Sequence, residues 1–156
     1  MILDERTELA DAVSVAAAAG TALIGDVIDM TVARNLGGGR PVYLVITVDT
    51  EIITGGSAGT IQFVIASDAQ AAIATDGTAT VHFASKLFVT DDSAANDSQM
   101  NAGSTILCVA LPSEGTVYER YLGILAIIAT TTVTAGKINA FLTLDPTIWK
   151  AYANQI

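Results

Sequence analysis

The sequence is poor in positive charge, and this shortage excludes two classes of partner. Only 7 of its 156 residues are Lys or Arg, against 16 Asp or Glu, so the formal net charge is −9. The basic residues are scattered singly along the chain. Nucleic acids and anionic membranes are bound through clusters of basic side chains. We therefore expect neither nucleic acid nor membrane as a partner.

Cysteine and long apolar runs are also scarce. The single cysteine, Cys108, cannot form an internal disulfide. Its apolar neighbours over 106–109 predict a buried small side chain and not a reactive thiol. The longest apolar run, 122–129, is far shorter than the roughly 20 residues of a membrane-spanning helix. With no basic-then-apolar signal at the N-terminus, the chain is expected to be soluble and not exported.

The composition that remains is typical of a β-rich globular domain. Hydrophobic residues make up 51% of the chain and charged residues 15%. From Asp26 onward, short apolar stretches recur between Gly, Asp, Asn, Ser or Pro, which is the pattern of strands and turns. The predicted strands are Val27–Val32, Val42–Val48, Thr60–Ser67, Thr78–Ser85, Thr105–Leu111, Arg120–Thr131 and Lys137–Leu144. Without strong intervening helices they predict an all-β fold, an antiparallel β-sandwich of jelly-roll type.

The two ends of the chain do not follow the strand pattern. Residues 1–25 allow a helix from Asp4 to about Ala19, but small side chains dominate there and leave no wide packing face. We therefore predict an extended N-terminal arm over 1–25, followed by the jelly-roll domain over 26–145. Residues 146–156 are predicted to be a C-terminal tail that docks on the sandwich or on a neighbour.

Some internal stretches carry further predictions. An alanine-rich segment, Ala69–Ala74, predicts one turn of helix. The strands over 42–48 and 122–128 are apolar on both faces. Such strands lie at the centre of a sandwich or under another subunit.

Three consecutive glycines, Gly37–Gly39, precede Arg40 and Pro41. A phosphate loop follows a strand and opens a helix, whose N-terminus meets the anion. Here the glycines come before a predicted strand, and Pro41 fixes a backbone suited to its start. The geometry favours a turn, with Arg40 as a surface or interface charge.

Candidate catalytic and metal-binding residues are weak. The lone His82 should face away from Val81 and Phe83, towards solvent or an interface, and any Ser-His-Asp triad would have to use it. The polar loop Asp91–Gln99 has oxygen ligands for Ca²⁺ but lacks the spacing of a helix-loop-helix calcium site, which favours a solvated loop. We therefore predict no catalytic, cofactor-binding or metal-binding residues.

An ordered series of segments along nearly the whole chain, about residues 9 to 150, carries a resemblance to a known family. The series resembles the capsid cement, or decoration, proteins of short-tailed bacteriophages. The segments are Ala10–Val15, Asp26–Asp29, Gly38–Leu44, Phe63–Ile73, Tyr118–Gly123 and Thr134–Leu142.

This resemblance implies a structural virion protein. It implies a jelly-roll subunit, a homo-oligomer with a dimer favoured and a trimer possible, and attachment to the outer surface of an icosahedral shell of major capsid protein. It implies neither catalysis nor a cofactor. The N-terminal arm and Tyr118–Gly123 are its candidate contacts, and the function expected is to cement adjacent capsid subunits in the expanded shell.

Two other function classes stay open from the residues. A carbohydrate-binding, lectin-like module on the virion surface is the alternative, because jelly rolls often bind sugars and Trp149 and Tyr152 are aromatic candidates for stacking on sugar rings. A hydrolase ranks last, since no acid/base pair accompanies a nucleophile.

Overall fold

A computed structural model describes residues 5–36, 39–55, 58–91, 100–113 and 115–146. Within these residues the chain forms nine strands after a short 3₁₀ helix, Glu5–Thr7. The strands are β1 (Glu8–Ser14), β2 (Gly20–Asp29), β3 (Tyr43–Ile53), β4 (Thr60–Asp68), β5 (Thr80–Ala84), β6 (Phe88–Val89), β7 (Thr105–Ala110), β8 (Tyr121–Ala129) and β9 (Ala135–Thr143).

The strands form two antiparallel sheets. One has the order β1-β9-β3-β7, and the other has the order β2-β8-β4-β5 with β6 also beside β4. The antiparallel pairs are nested along the chain, with β4–β5 inside β3–β7, β3–β7 inside β2–β8, and β2–β8 inside β1–β9. The prediction of an all-β fold with antiparallel sheets is confirmed.

No α-helix occurs in the described residues, and the turn of helix predicted over Ala69–Ala74 is wrong. Instead the Asp68 carboxylate accepts hydrogen bonds from the backbone N–H groups of Gln70 and Ala74, at 3.1 and 2.9 Å. These bonds hold the segment as a compact loop. The described part of the chain contains no helix that is long and apolar enough to cross a membrane.

One apolar core lies between the two sheets, as in a β-sandwich. Alternation along each strand directs every second side chain inward. The core side chains of β3 and β4 are Leu44, Ile46, Val48, Ile52, Ile61, Phe63 and Ile65, all exposed by 2% or less. The alternate residues Ile61, Phe63 and Ile65 of β4 therefore share the face that lines this core.

A second apolar cluster explains why β8 is apolar on both faces. On the outer face of its sheet, Val64 and Leu125 pack with Ile73, which comes from the loop between β4 and β5. Gly123 makes room for this loop, because a Cβ there would lie 2.7 Å from Ile73 Cδ1. The chain's own loop thus covers a face that the sequence left open to another subunit.

The extended arm predicted over residues 1–25 is not confirmed. Glu8–Ser14 form β1, which pairs with β9, and the predicted boundary at residue 25 falls inside β2. Leu9 and Val15 are fully buried in the sandwich core. The sandwich therefore begins by Glu8, because β1 supplies the edge strand and core side chains of the first sheet. Residues 1–4 of the predicted arm and 147–156 of the predicted tail lie outside the described residues.

Candidate functional site

Three long connections meet at one end of the sandwich. Because successive strands run antiparallel, the β2–β3, β4–β5 and β7–β8 connections (30–42, 69–79 and 111–120) leave from the same end, together with residues 144–146 after β9. We call this the loop end. Backbone hydrogen bonds tie two of these connections together, since Arg34 and Tyr118 exchange N–H to carbonyl bonds of 2.9 and 2.8 Å.

The loop end exposes most of the large apolar side chains that face solvent in the described residues. Val32, Val117 and Leu144, on its connections, and Val81, near the start of β5, are exposed by 57, 62, 56 and 57%. The fifth such side chain, Leu87, lies towards the opposite end, at 57%. Leu144, the last residue of the predicted strand Lys137–Leu144, lies just beyond β9, which ends at Thr143. This asymmetry marks the loop end as a candidate contact surface.

An ion pair fixes the backbone at the same end. The guanidinium of Arg120 donates two hydrogen bonds of 2.8 Å to the Asp29 carboxylate, with both side chains partly exposed. The bond from Arg120, together with the backbone N–H of Thr31, lowers the pKa of Asp29 to about 2. The fork geometry locks β2 to the start of β8, which holds the adjoining connections in place.

Beneath the loop end lies a buried polar network. The Ser67 hydroxyl is 2.7 Å from His82 Nε2 and accepts a hydrogen bond from the backbone N–H of Glu119 at 2.9 Å. The ring of His82 stacks on Tyr118, with centroids 3.9 Å apart. The Tyr118 hydroxyl donates to the carbonyl of Pro112 at 2.6 Å. Burial raises the pKa of Tyr118 to about 12, so this hydroxyl remains a donor at neutral pH.

His82 does not face solvent as predicted. The β4–β5 register shifts between Ile65 and Ala66, opposite His82, so strict alternation fails at this position. A bulge of this kind places one extra residue against its partner strand and redirects a side chain. The redirected imidazole closes the end of the core against Ser67 and Tyr118 and is half-buried.

The structure thus brings a serine and the single histidine into hydrogen-bond contact, which the sequence did not predict. Glu119 lies near enough to act electrostatically on His82. A nucleophilic hydroxyl must nevertheless reach its substrate, and Ser67 is fully buried. Its hydroxyl also accepts the Glu119 N–H bond. The arrangement fits a structural lock better than a nucleophile and base.

Because His82 is partly buried, we expect the free energy of unfolding to fall as the pH is lowered. Desolvation lowers its folded-state pKa below 6.5, with Glu119 opposing the shift. The unfolded chain therefore binds more protons, and its charged His82 is favoured as pH falls. We expect the free energy of unfolding to be highest above pH 6.5 and to fall below it until the folded-state pKa is reached.

Urea denaturation at several pH values between 7.5 and 5.5 tests this expectation. In His82→Gln the decrease over that interval should be smaller than in the native chain, because the variant lacks the titrating imidazole. An equal pH dependence in both proteins would show that His82 is not responsible.

The remaining sequence candidates have different outcomes. Cys108 is exposed, so the prediction of a buried thiol is wrong. Arg40 is exposed ahead of β3, as predicted for a turn, while Gly37 and Gly38 lie outside the described residues. Asp91 is 5% exposed; 92–99, the rest of the predicted solvated loop, are not described. No group of three or more His, Cys, Asp or Glu in the described part could hold a metal ion.

The contact segment that the resemblance implied is largely internal. Within Tyr118–Gly123, the side chain of Tyr118 and that of Leu122 are buried and only Arg120 is exposed. Sequence reasoning missed the apolar side chains around this segment, Val32 and Val117. Val117 lies in a turn-forming stretch outside every predicted strand, and that was its signal. Val32 was assigned to the predicted strand Val27–Val32, but β2 ends at Asp29 and leaves it in the connection.

Comparison with known proteins assigns these features to a family. A protein-family model described as Bbp16 matches residues 9–142. No curated protein matches the chain. The matched range runs from the second residue of β1 almost to the end of β9, so it spans both sheets and the loop end.

Proposed function

The chain belongs to the Bbp16 family, a phage-related family of structural proteins, and on that premise we propose that it is a virion protein that cements a capsid. It binds the outer surface of the icosahedral shell, as a homodimer, and bridges adjacent major capsid protein subunits. In this role it stabilises the expanded shell. In this proposal the protein acts by adding contact area between capsid subunits and catalyses no reaction.

The observation that carries this proposal is the apolar loop end. Four exposed valine and leucine side chains are concentrated there, on a chain whose net charge is −9. Water-exposed apolar area on a charged protein is typical of an interaction surface. Each such side chain contributes on the order of 1 kcal/mol when a partner covers it. Many copies bound across capsomer boundaries multiply this small contribution through avidity.

The ion pair and the backbone bridge at the loop end support the same role. A contact surface binds more tightly when its loops are already ordered, because less conformational entropy is lost on binding. The Arg120–Asp29 pair and the Arg34–Tyr118 bridge fix the loops that carry Val32 and Val117. The surface is therefore ready-made for docking onto a rigid shell.

The sandwich is proposed to be a jelly roll. Leaving aside the two-residue β6, eight strands make four nested antiparallel pairs that fold over as one long hairpin. The orders β1-β9-β3-β7 and β2-β8-β4-β5 match the two four-stranded sheets of an eight-stranded jelly roll. A jelly roll exposes its connections at the ends of the sandwich, in agreement with a loop-end contact.

The sugar-binding alternative gains no support from the described residues. A site that stacks on sugar rings needs exposed aromatic side chains. Every aromatic side chain in the described part of the chain is buried or half-buried. The two aromatic candidates named from the sequence, Trp149 and Tyr152, are not described.

A pair of matched substitutions tests the loop end. Val117→Glu and Leu87→Glu each add one carboxylate at a side chain exposed by 62 or 57%, at opposite ends of the sandwich. We expect Val117→Glu to weaken binding to purified expanded shells by at least about tenfold, since a charge would be buried against the shell. Leu87→Glu should bind as the native chain does.

Co-sedimentation of the purified chains with empty expanded shells measures this binding. Thermal unfolding of both variants is the control, because both sites are exposed and the fold should be unchanged. Equal binding by the native chain and both variants would exclude the loop end as the contact surface. A native chain that binds no shell at all would contradict the cement function.

A further inference from the structure

Leaving aside the two-residue β6, the described part of the sandwich has four edge strands, and three of them carry features that prevent further strand pairing. Edge strands are normally protected by charges, bulges or shortness, because their free backbone groups invite another strand. β1 has two register shifts as well as Glu8 and Asp11. β2 has a register shift and two aspartates. β5 is only five residues long, and its register against β4 shifts at His82.

The fourth edge, β7, lacks charge protection. No charged residue occurs from Met100 to Ser113, a stretch that contains the whole of β7 in a chain with 23 charged residues, the 7 basic and 16 acidic ones together. The register of Leu107–Ala110 against β3 is regular, and the one shift lies towards Thr105. Cys108 and Ala110 are exposed on this strand. Within the described residues β7 pairs only with β3.

We infer that β7 is the self-association edge of this protein, where it pairs antiparallel with β7 of a second copy of the chain. The pairing, which rests on the homodimer proposed above, joins the two four-stranded sheets into one eight-stranded sheet. An added strand completes the backbone hydrogen bonds of an unpaired edge. The contact is isologous, because the same residues face each other across a two-fold axis.

Charge selects a second copy at this edge. Each copy has a net charge of −9, so two copies repel each other except where the facing surfaces are neutral. The uncharged stretch 100–113 offers that neutral surface. The other edge of the same sheet, β1, contains Glu8 and Asp11. Self-pairing there would bring the acidic side chains of one copy close to those of the other, and like charges on facing strands are destabilising.

Symmetry places Cys108 near the two-fold axis. Cys108 is the fourth of the six residues of β7. A two-fold axis at either central residue, Leu107 or Cys108, sets the two Cys108 side chains diagonally or directly opposite each other. Directly opposed and diagonal partners across paired strands are about 4.5–8 Å apart. The cysteine is the only one in the chain, which makes it an unambiguous reporter of this contact.

Sedimentation velocity of the purified chain, without shells, tests the pairing. The native protein should sediment at twice its 16.0 kDa chain mass. Cys108→Lys places like charges across the two-fold axis and should weaken dimerisation about a hundredfold. Val81→Lys, on the β5 edge of the other sheet, is the matched control and should leave the dimer intact. A short bismaleimide should crosslink the native dimer through Cys108.

Several results would overturn the pairing. One is a native chain whose sedimentation gives the monomer mass of 16.0 kDa at all concentrations. Another is a dimer that persists in both Cys108→Lys and Ala110→Lys. The third is a native dimer that the bismaleimide does not crosslink. Far-UV circular dichroism confirms that the variants are folded, and Ala110→Lys replaces Cys108→Lys if the latter unfolds. If the chain dimerises through β7 but does not bind shells, only the proposed function is contradicted. If it binds shells but does not form this dimer, only the pairing is contradicted.

Discussion

Replacing Gly25 by alanine is expected to lower the free energy of unfolding by about 3–5 kcal/mol, from backbone strain and overpacking together. Gly25 has a φ of 69° within β2, where the register with β8 shifts. This left-handed backbone is strained for any residue with a Cβ. The added Cβ would also collide with the carbonyl oxygen of Leu9 and lie 3.2 Å from the Cβ of Ala10.

The collision cannot be relieved by a rotamer change, because the carbonyl of Leu9 belongs to the backbone of β1 and the side chain of Ala10 has no rotamers. Gly77→Ala is the matched control. Gly77 has a φ of 93°, but nothing lies within 4 Å of its added Cβ, so strain alone should cost about 1–2 kcal/mol. Urea denaturation of both variants measures the difference. Equal destabilisation would mean that β1 does not pack against β2 as the structure places it.

The result bears on the N-terminal segment. If residues 8–14 were a loose arm, Gly25 would tolerate alanine with the strain cost alone. A large loss would show that β1 is part of the sandwich in solution, and that a capsid contact has to be sought elsewhere on the protein.

Truncating Tyr118 to alanine is the second change with a large expected effect, about 3–5 kcal/mol of lost stability. Tyr118 is the largest fully buried side chain of the described residues. Its loss leaves a cavity between the sheets, removes the ring on which His82 stacks, and leaves the Pro112 carbonyl without the hydroxyl donor. The β2–β3 and β7–β8 connections would lose the packing beneath their backbone bridge.

Tyr118→Phe separates the hydrogen bond from the packing. It keeps the ring and removes only the donor to Pro112, so it should cost about 1–3 kcal/mol. Thermal or urea unfolding gives both values, and a loss in Tyr118→Ala no larger than in Tyr118→Phe would contradict the packing role. Shell binding should be native-like in Tyr118→Phe, because a buried hydroxyl touches no capsid protein. Loss of binding in the folded variant would instead support the contact role implied by the resemblance.

The sequence alone determined the strands whose side chains alternate. β4 and β9 were predicted within two residues of their observed ends, because hydrophobic side chains on every second position indicate one buried face. The all-β class followed from the same pattern repeated between turn residues. The charge balance was equally readable, since it depends on composition and not on geometry.

Other features depended on the tertiary structure because they break the regular period. β1 is interrupted by two register shifts, with Ala12 at a φ of 48°, and β2 by one beside Gly25, so neither shows clean alternation in sequence. The His82–Ser67 contact depends on a bulge in the same way. A bulge is fixed by how two distant strands pair, and a local pattern does not contain that information.

The candidate contact surfaces show the same division. Val32 and Val117 are far apart in sequence, and only the antiparallel order of the strands brings their connections to one end. Cys108 was expected inside, because its neighbours are apolar, and it is exposed because β7 falls at a sheet edge. Composition alone shows that apolar residues far outnumber charged ones, at 51% against 15% of the chain. The pairing of distant strands decided which of the apolar side chains are buried and which face water.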